Sequence, residues 1–169
     1  MANMFAKAGL VALIALAPLG VSAKDDPGRQ FIVKAIQGNM AEIAMGQLAQ
    51  QKGASDGVKS FGQMLVQDHS AAKDQASAAA TAAQVTPPTE PNKEQKATYD
   101  RMSKLSGAAF DRQFVAHMVA DHKKEIGEYQ KEAKRSDGAI SDYAKATLPT
   151  LQKHLETAQS LERQVKAAR

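Results

Sequence analysis

The chain has 169 residues, no cysteine and a formal net charge of +4 at pH 7. The absence of cysteine excludes disulfides and a lipid anchor on an N-terminal cysteine, so the fold has to be held together by core packing. The charge excess is small and spread along the chain. No basic cluster with interleaved aromatic residues occurs, which argues against nucleic-acid binding.

Residues 1–23 have the pattern of a secretory signal peptide: a basic start, an apolar run over residues 8–19 and small residues before a cleavage site. We expect cleavage after Ala23 and export to the periplasm. The apolar run is short for a membrane span, and charged residues follow it closely. Residues 24–169 then form one domain, with no second run able to cross a bilayer. Peripheral association with a membrane, and an uncleaved signal acting as an anchor, both stay open.

In the mature chain, apolar residues recur at helical spacing in four long segments. The first segment begins at 25–27, with two aspartates and a proline, and stops at Gly53. Ser55 or Asp56 can cap the second, which ends in an alanine-rich tail before Val85. These signals predict two helices joined by a short link.

A proline-containing loop at 85–92 and a short amphipathic helix at 93–105 form a connection of some twenty residues. The central helix starts at Ser106 or Gly107 and ends near 136–138. Pro149 lies inside the last helical pattern and predicts a kink or break near Leu148. Two short-linked helix pairs and one long crossover containing a short extra helix predict an all-α, ferritin-like four-helix bundle.

Three of the long helices carry a histidine on their apolar face, and the first carries Glu42. Counting residues from the helix ends, at about 1.5 Å rise per residue, places the four side chains near one depth, in the middle of the bundle. One such ligand per helix would form an N3O set suited to zinc, copper or iron. The predicted metal ligands are Glu42, His69, His122 and His154.

Asp68 and Asp121 directly precede His69 and His122, and we predict them as outer carboxylates that orient the ligands. Neighbours in a helix point about 100° apart, so each aspartate would have to serve the histidine of another helix. The alternative is a metal-free polar network of these residues and Asn39 that fixes how the helices pack.

The sequence lacks the motifs that are typical of catalytic sites. Ferritin-like di-iron centres require two Glu-x-x-His motifs and two further glutamates, which this chain does not have. No nucleophilic triad, phosphate-binding loop or catalytic carboxylate pair stands out. We therefore expect a non-enzymatic metal-binding protein. Two alternatives stay open: a structural module that acts on an unknown protein partner, and a redox enzyme with a degenerate ferritin-like centre.

Four segments resemble a bacterial family of exported proteins, domain of unknown function 4142, which is often labelled predicted outer membrane protein. They read GNMAEIAMGQLAQQK at 38–52, VKSFGQMLVQDH at 58–69, LSGAAFDRQFVAHMVADHKKEIGEYQKEA at 105–133 and ATLPTLQKHLETAQ at 146–159. The resemblance covers essentially the whole mature chain and implies a ferritin-like helical bundle. It implies no particular activity. A role in envelope maintenance or stress tolerance is our expectation from the exported context.

Overall fold

The computed structural model describes residues 26–135 and 138–167, and within these ranges the chain is all-helical, without a strand. The helices are α1 (Pro27–Lys52), α2 (Asp56–Ala82), α3 (Lys93–Met102), α4 (Gly107–Ala133) and α5 (Ala139–Ala167). The all-α prediction is confirmed. The predicted signal peptide and its cleavage after Ala23 lie outside the described residues. So do residues 136 and 137, near which the central helix was predicted to end.

Side-chain caps fix where the helices begin. Asp26 and Ser55 accept hydrogen bonds from backbone amides in the first turns of α1 and α2. Asn92 and Gln95 form a reciprocal capping box at the start of α3. These side chains satisfy amide groups that have no partner inside the helix. The starts of α1, α2 and α3 therefore lie where the sequence signals place them.

The two pairs of consecutive long helices make the most extensive contacts, α1 with α2 and α4 with α5, and further contacts join α2 to α5 and α1 to α4. At one point the backbones of α1 and α2 nearly touch. A Cβ atom added to Gly46 would lie 2.5 Å from the carbonyl oxygen of Gly62, and one added to Gly62 would lie 2.6 Å from that of Gly46. Glycine at both positions permits this approach, which sets α1 and α2 at a fixed register.

A buried carboxylate ties the α1–α2 link to α4. Asp111 is 3% exposed and accepts hydrogen bonds of 2.9 Å from the backbone amides of Ala54 and Ser55. Charge-assisted bonds to backbone amides compensate for burying the carboxylate. The end of the first helix pair is thereby held against the second pair.

The core has two apolar clusters, one towards each end of the long helices. One contains Phe61, Phe114 and Met118, and the other contains Ile36 and Tyr129. On every long helix, a buried polar residue falls in the sequence interval between the two clusters. These residues are Asn39 and Glu42 on α1, His69 on α2, His122 on α4 and His154 on α5. A polar layer thus crosses the helices between two apolar regions.

The last helix runs through Pro149 as a single element. Ala144 before the proline and Leu151 after it are both buried in the core. Packing on each side keeps the two halves in one helix despite the missing amide donor. The prediction of a break near Leu148 is therefore wrong, and the alternative of a kink there stays a prediction.

Among the described residues, none of the helices combines the length and the apolar character that crossing a membrane requires.

Candidate metal centre

Three histidines from three different helices meet in the polar layer. His69 is 2% exposed, and His122 and His154 are 0% exposed. Their ring centroids lie 5.2 to 5.8 Å apart. One nitrogen of each ring falls within 4.8 Å of the corresponding nitrogen of the other two. Three of the four predicted ligands therefore come together as one buried group.

His122 is held by its own helix. Its Nδ1 lies 3.1 Å from the carbonyl oxygen of Met118, one turn earlier in α4. A carbonyl oxygen can only accept, so Nδ1 carries the proton and Nε2 presents a lone pair. That Nε2 faces His154 Nδ1 at 3.3 Å.

His154 is held by a carboxylate from another helix. Its Nε2 lies 2.8 Å from Oδ2 of Asp68, which stands on α2. Nε2–H donates a hydrogen bond to the carboxylate, which leaves Nδ1 without a proton and free to act as an acceptor or a ligand. Asp68 thus serves the histidine of another helix, as the 100° spacing of adjacent residues requires.

His69 is held by an amide from α1. Its Nδ1 lies 2.8 Å from Asn39 Oδ1, while Asn39 Nδ2 donates to the hydroxyl of Tyr143 at 3.0 Å. The Tyr143 hydroxyl lies 2.9 Å from that of Tyr129, which extends the chain of hydrogen bonds. Within the described residues, His69 Nε2 is buried and has no hydrogen-bond partner.

The three outer partners select one tautomer for each ring. In each ring, the N–H group donates a hydrogen bond to an oxygen: a carbonyl oxygen, a carboxylate oxygen or an amide oxygen. The inner nitrogens are then three lone pairs in an enclosed space with no proton among them, which is unfavourable unless a cation lies there. This is how metal-binding histidines are usually supported, with the second ring nitrogen hydrogen-bonded to an oxygen.

Protonation of a histidine could also compensate for the three lone pairs, but these rings do not take up protons readily. Burial, with a smaller contribution from the neighbouring His154, lowers the pKa of His122 to about 4. Burial also lowers the pKa of His69, with smaller contributions from His122 and His154. For His154, burial lowers the pKa, although Asp68 opposes that shift. The rings are therefore neutral at pH 7, the state that binds metals.

The separation of the inner nitrogens fits a transition metal. At a metal–nitrogen distance of about 2.0–2.1 Å and tetrahedral angles, two ligand nitrogens lie about 3.3 Å apart. The His122 and His154 nitrogens already have this separation, 3.3 Å. His69 would complete the set by a small ring movement, since its nitrogen lies within 4.8 Å of the others.

The other two predicted residues face a neighbouring group of acids. Glu42 is 2% exposed and interacts with the carboxyl groups of Glu125 and Asp121. Glu42 lies outside the group of three histidines as it stands, so its role as fourth ligand stays a prediction. The same holds for Asp121 as an outer carboxylate.

Two functional-looking residues were not predicted in their present roles. Asn39 was considered only as part of a metal-free network, yet it is the oxygen partner of His69. Glu125 was not predicted as a site residue. Its position four residues after Asp121 on α4 is a signal that could have revealed it, because such residues share one helix face.

The comparisons with known proteins give a family and no further relative. A family model described as "Domain of unknown function (DUF4142)" matches residues 16–161. No curated protein and no solved structure matches the chain significantly.

Proposed function

The chain belongs to the DUF4142 family, and from that premise and the geometry of the polar layer we propose that it binds a transition metal through His69, His122 and His154. The observation that carries this proposal is the set of outer partners. One nitrogen of each ring donates a hydrogen bond to an oxygen, which leaves the three inner nitrogens of the polar layer without protons. A metal ion neutralises that arrangement, and a proton bound to a buried imidazole does so less well.

Three neutral imidazoles favour zinc, copper or iron over calcium and magnesium, which prefer oxygen. Asp68 accepts a hydrogen bond from His154 and orients that ring. A fourth ligand completes a tetrahedral site. Glu42, the predicted one, or a small molecule from solution would fill that position.

The helices that carry the site are proposed to form a ferritin-like four-helix bundle, with α3 on the crossover. In support, the α1–α2 and α4–α5 connections are short, whereas residues 83–106 separate α2 from α4. We also propose that the mature protein begins after Ala23 and resides in the periplasm, where it serves envelope maintenance or stress tolerance by holding metal. The intact mass of protein isolated from the periplasm tests the cleavage site.

The test of metal binding is elemental analysis of untagged protein purified from the periplasm, followed by titration of the metal-free protein with Zn²⁺ and Cu²⁺. The parent protein, His69→Ala and His117→Ala are compared. His117 is a matched control because it stands on α4 outside the group of three. Circular dichroism verifies that each variant is folded.

We expect the parent and His117→Ala to carry or take up about one metal ion per chain, and His69→Ala to lose this binding. If the folded parent neither contains nor takes up metal, the proposal is wrong and the histidines form a packing network. Iron accompanied by oxygen-dependent turnover would instead point to the redox-enzyme alternative.

A further inference from the structure

A second group of ionisable side chains lies beside the histidines. It consists of Glu42 on α1 and of Asp121 and Glu125 on α4. Asp121 and Glu125 are four residues apart and share one face of α4, whereas His122 points to the other group. The three acids stand close enough to interact with one another.

Glu42 lines a cavity, and one of its carboxyl oxygens has no hydrogen-bond partner among the described residues. The cavity has a volume of about 110 Å³ and is lined by Glu42, Asp121 and His117, with Asn92 and Glu94 at the start of α3. Within the described residues, Glu42 Oε2 is buried and lacks a hydrogen-bond partner. A carboxylate oxygen in this state lacks the compensation that burial of a charge requires.

Glu125 has the same feature on the adjoining wall. Its Oε2 is also buried without a hydrogen-bond partner among the described residues. Its Oε1 lies 3.0 Å from the place where a Cβ of Gly38 would stand, so glycine at that position of α1 leaves room for the carboxyl group. Glu125 lines a second cavity, of about 260 Å³, which shares Asn92, Glu94 and Asp121 with the first.

The acids repel one another when nothing neutralises them. Burial, together with the charges of Asp121 and Glu128 and against the opposing effect of Lys124, raises the pKa of Glu125 to about 8. Burial raises the pKa of Glu42 well above its ordinary value, and the charges of Glu125 and Asp121 contribute smaller shifts in the same direction. A cation bound between the carboxyl groups would remove their mutual repulsion.

We propose that Glu42, Asp121 and Glu125 form a second cation site, separate from the three histidines, for an oxygen-preferring divalent ion of the Mn²⁺, Mg²⁺ and Ca²⁺ class. The donors are the carboxylate oxygens of these three acids, with Glu94 across the cavity, and hard cations select such oxygen-rich sites. The two unpartnered glutamate oxygens provide the free ligand positions.

The two sites lie next to each other on α4, and their different donor groups would select different metal ions. Asp121 belongs to the acidic group and His122 to the imidazole group, and the two residues are consecutive on α4. The second site uses none of the three histidines, and with Glu42 engaged there the fourth ligand of the histidine site is a small molecule from solution.

The experiment is a titration of metal-free protein with Mn²⁺, in which electron paramagnetic resonance measures the free ion. The parent is compared with Glu125→Gln, His69→Ala and Glu156→Gln. Glutamine has the shape of the glutamate side chain without its charge, and circular dichroism verifies that the variant is folded. Glu156 is a matched control, an exposed glutamate on α5.

We expect the parent, His69→Ala and Glu156→Gln to bind one Mn²⁺ per chain with similar affinity, and Glu125→Gln to bind it at least about tenfold more weakly. The proposal is overturned if the parent binds no Mn²⁺, or if Glu125→Gln binds it as the parent does. Loss of Mn²⁺ in His69→Ala with retention in Glu125→Gln would overturn the second site and support the histidine site alone. Failure of zinc or copper binding would concern only the first site.

Discussion

His122 Nε2 lies 3.3 Å from His154 Nδ1. Neither nitrogen carries a proton, because the proton of each ring is on its other nitrogen, which donates a hydrogen bond to the Met118 carbonyl or to the Asp68 carboxylate. This distance is also the one that two ligands of a tetrahedral metal adopt. This separation supports the proposal that both nitrogens are ligands of one metal ion.

Metal should stabilise the fold measurably. A ligand that binds only the native state, at a free concentration 100 times its dissociation constant, adds about 2.7 kcal/mol to the free energy of unfolding. For a domain of this size, that raises the melting temperature by roughly 8 °C. Differential scanning calorimetry of the metal-free protein with and without Zn²⁺ measures the shift. The same addition to His69→Ala should leave its melting temperature unchanged.

Replacing Asp68 with asparagine should weaken metal binding without abolishing it. The variant removes the negative charge on His154 Nε2 but keeps an oxygen that can accept from the ring. Loss of such an outer carboxylate typically costs 10- to 100-fold in affinity, and we expect about tenfold. Competition with a chromophoric chelator measures the change. Asp74→Asn is the control, because Asp74 is on the same helix with its side chain 77% exposed. Equal affinities for the two variants would contradict the role given to Asp68.

The metal-free protein should lose stability in acid through His122. The pKa of this residue is about 4 in the folded state against 6.5 unfolded, so below pH 6.5 the unfolded chain binds a proton that the folded chain refuses. The contribution to stability is present above pH 6.5 and is lost as the pH falls to about 4.

Urea denaturation of the metal-free parent and of His122→Gln at several pH values tests this relation. The stability of the parent relative to the variant should fall by about 3 kcal/mol between pH 7 and pH 4, from 1.36 kcal/mol per pKa unit. A difference that stays constant over this range would show that folding does not lower the pKa of His122.

Gly46→Ala should destabilise the contact between α1 and α2. The added methyl group would lie 2.5 Å from the backbone carbonyl of Gly62, so the helices have to move apart. We expect a loss of about 1–3 kcal/mol in the free energy of unfolding. Gly127→Ala is the matched control, since a Cβ there meets nothing within 4 Å. Alanine at that position should stabilise α4 by up to about 1 kcal/mol through helix propensity. Similar effects of the two substitutions would contradict the close approach.

The sequence alone was sufficient for the local elements. The Asp26 and Ser55 caps and the apolar stripes depend on residues within a turn or two, so the helix starts follow from spacing and residue type. Depth along a helix also follows from counting, because the rise per residue is constant. That is why three histidines could be expected at one level of the fold. The Pro149 break was wrong because long-range packing of Ala144 and Leu151 outweighs a local signal.

Only the tertiary structure decided which atoms face one another. Depth does not fix the rotation of a helix about its axis, and that rotation turns Asp68 to His154 and Glu42 towards Asp121. It depends on contacts between distant segments, such as the approach of Gly46 to Gly62, which no local pattern encodes. The sequence therefore determined that polar side chains share one layer, and packing divided them into an imidazole group and a carboxylate group.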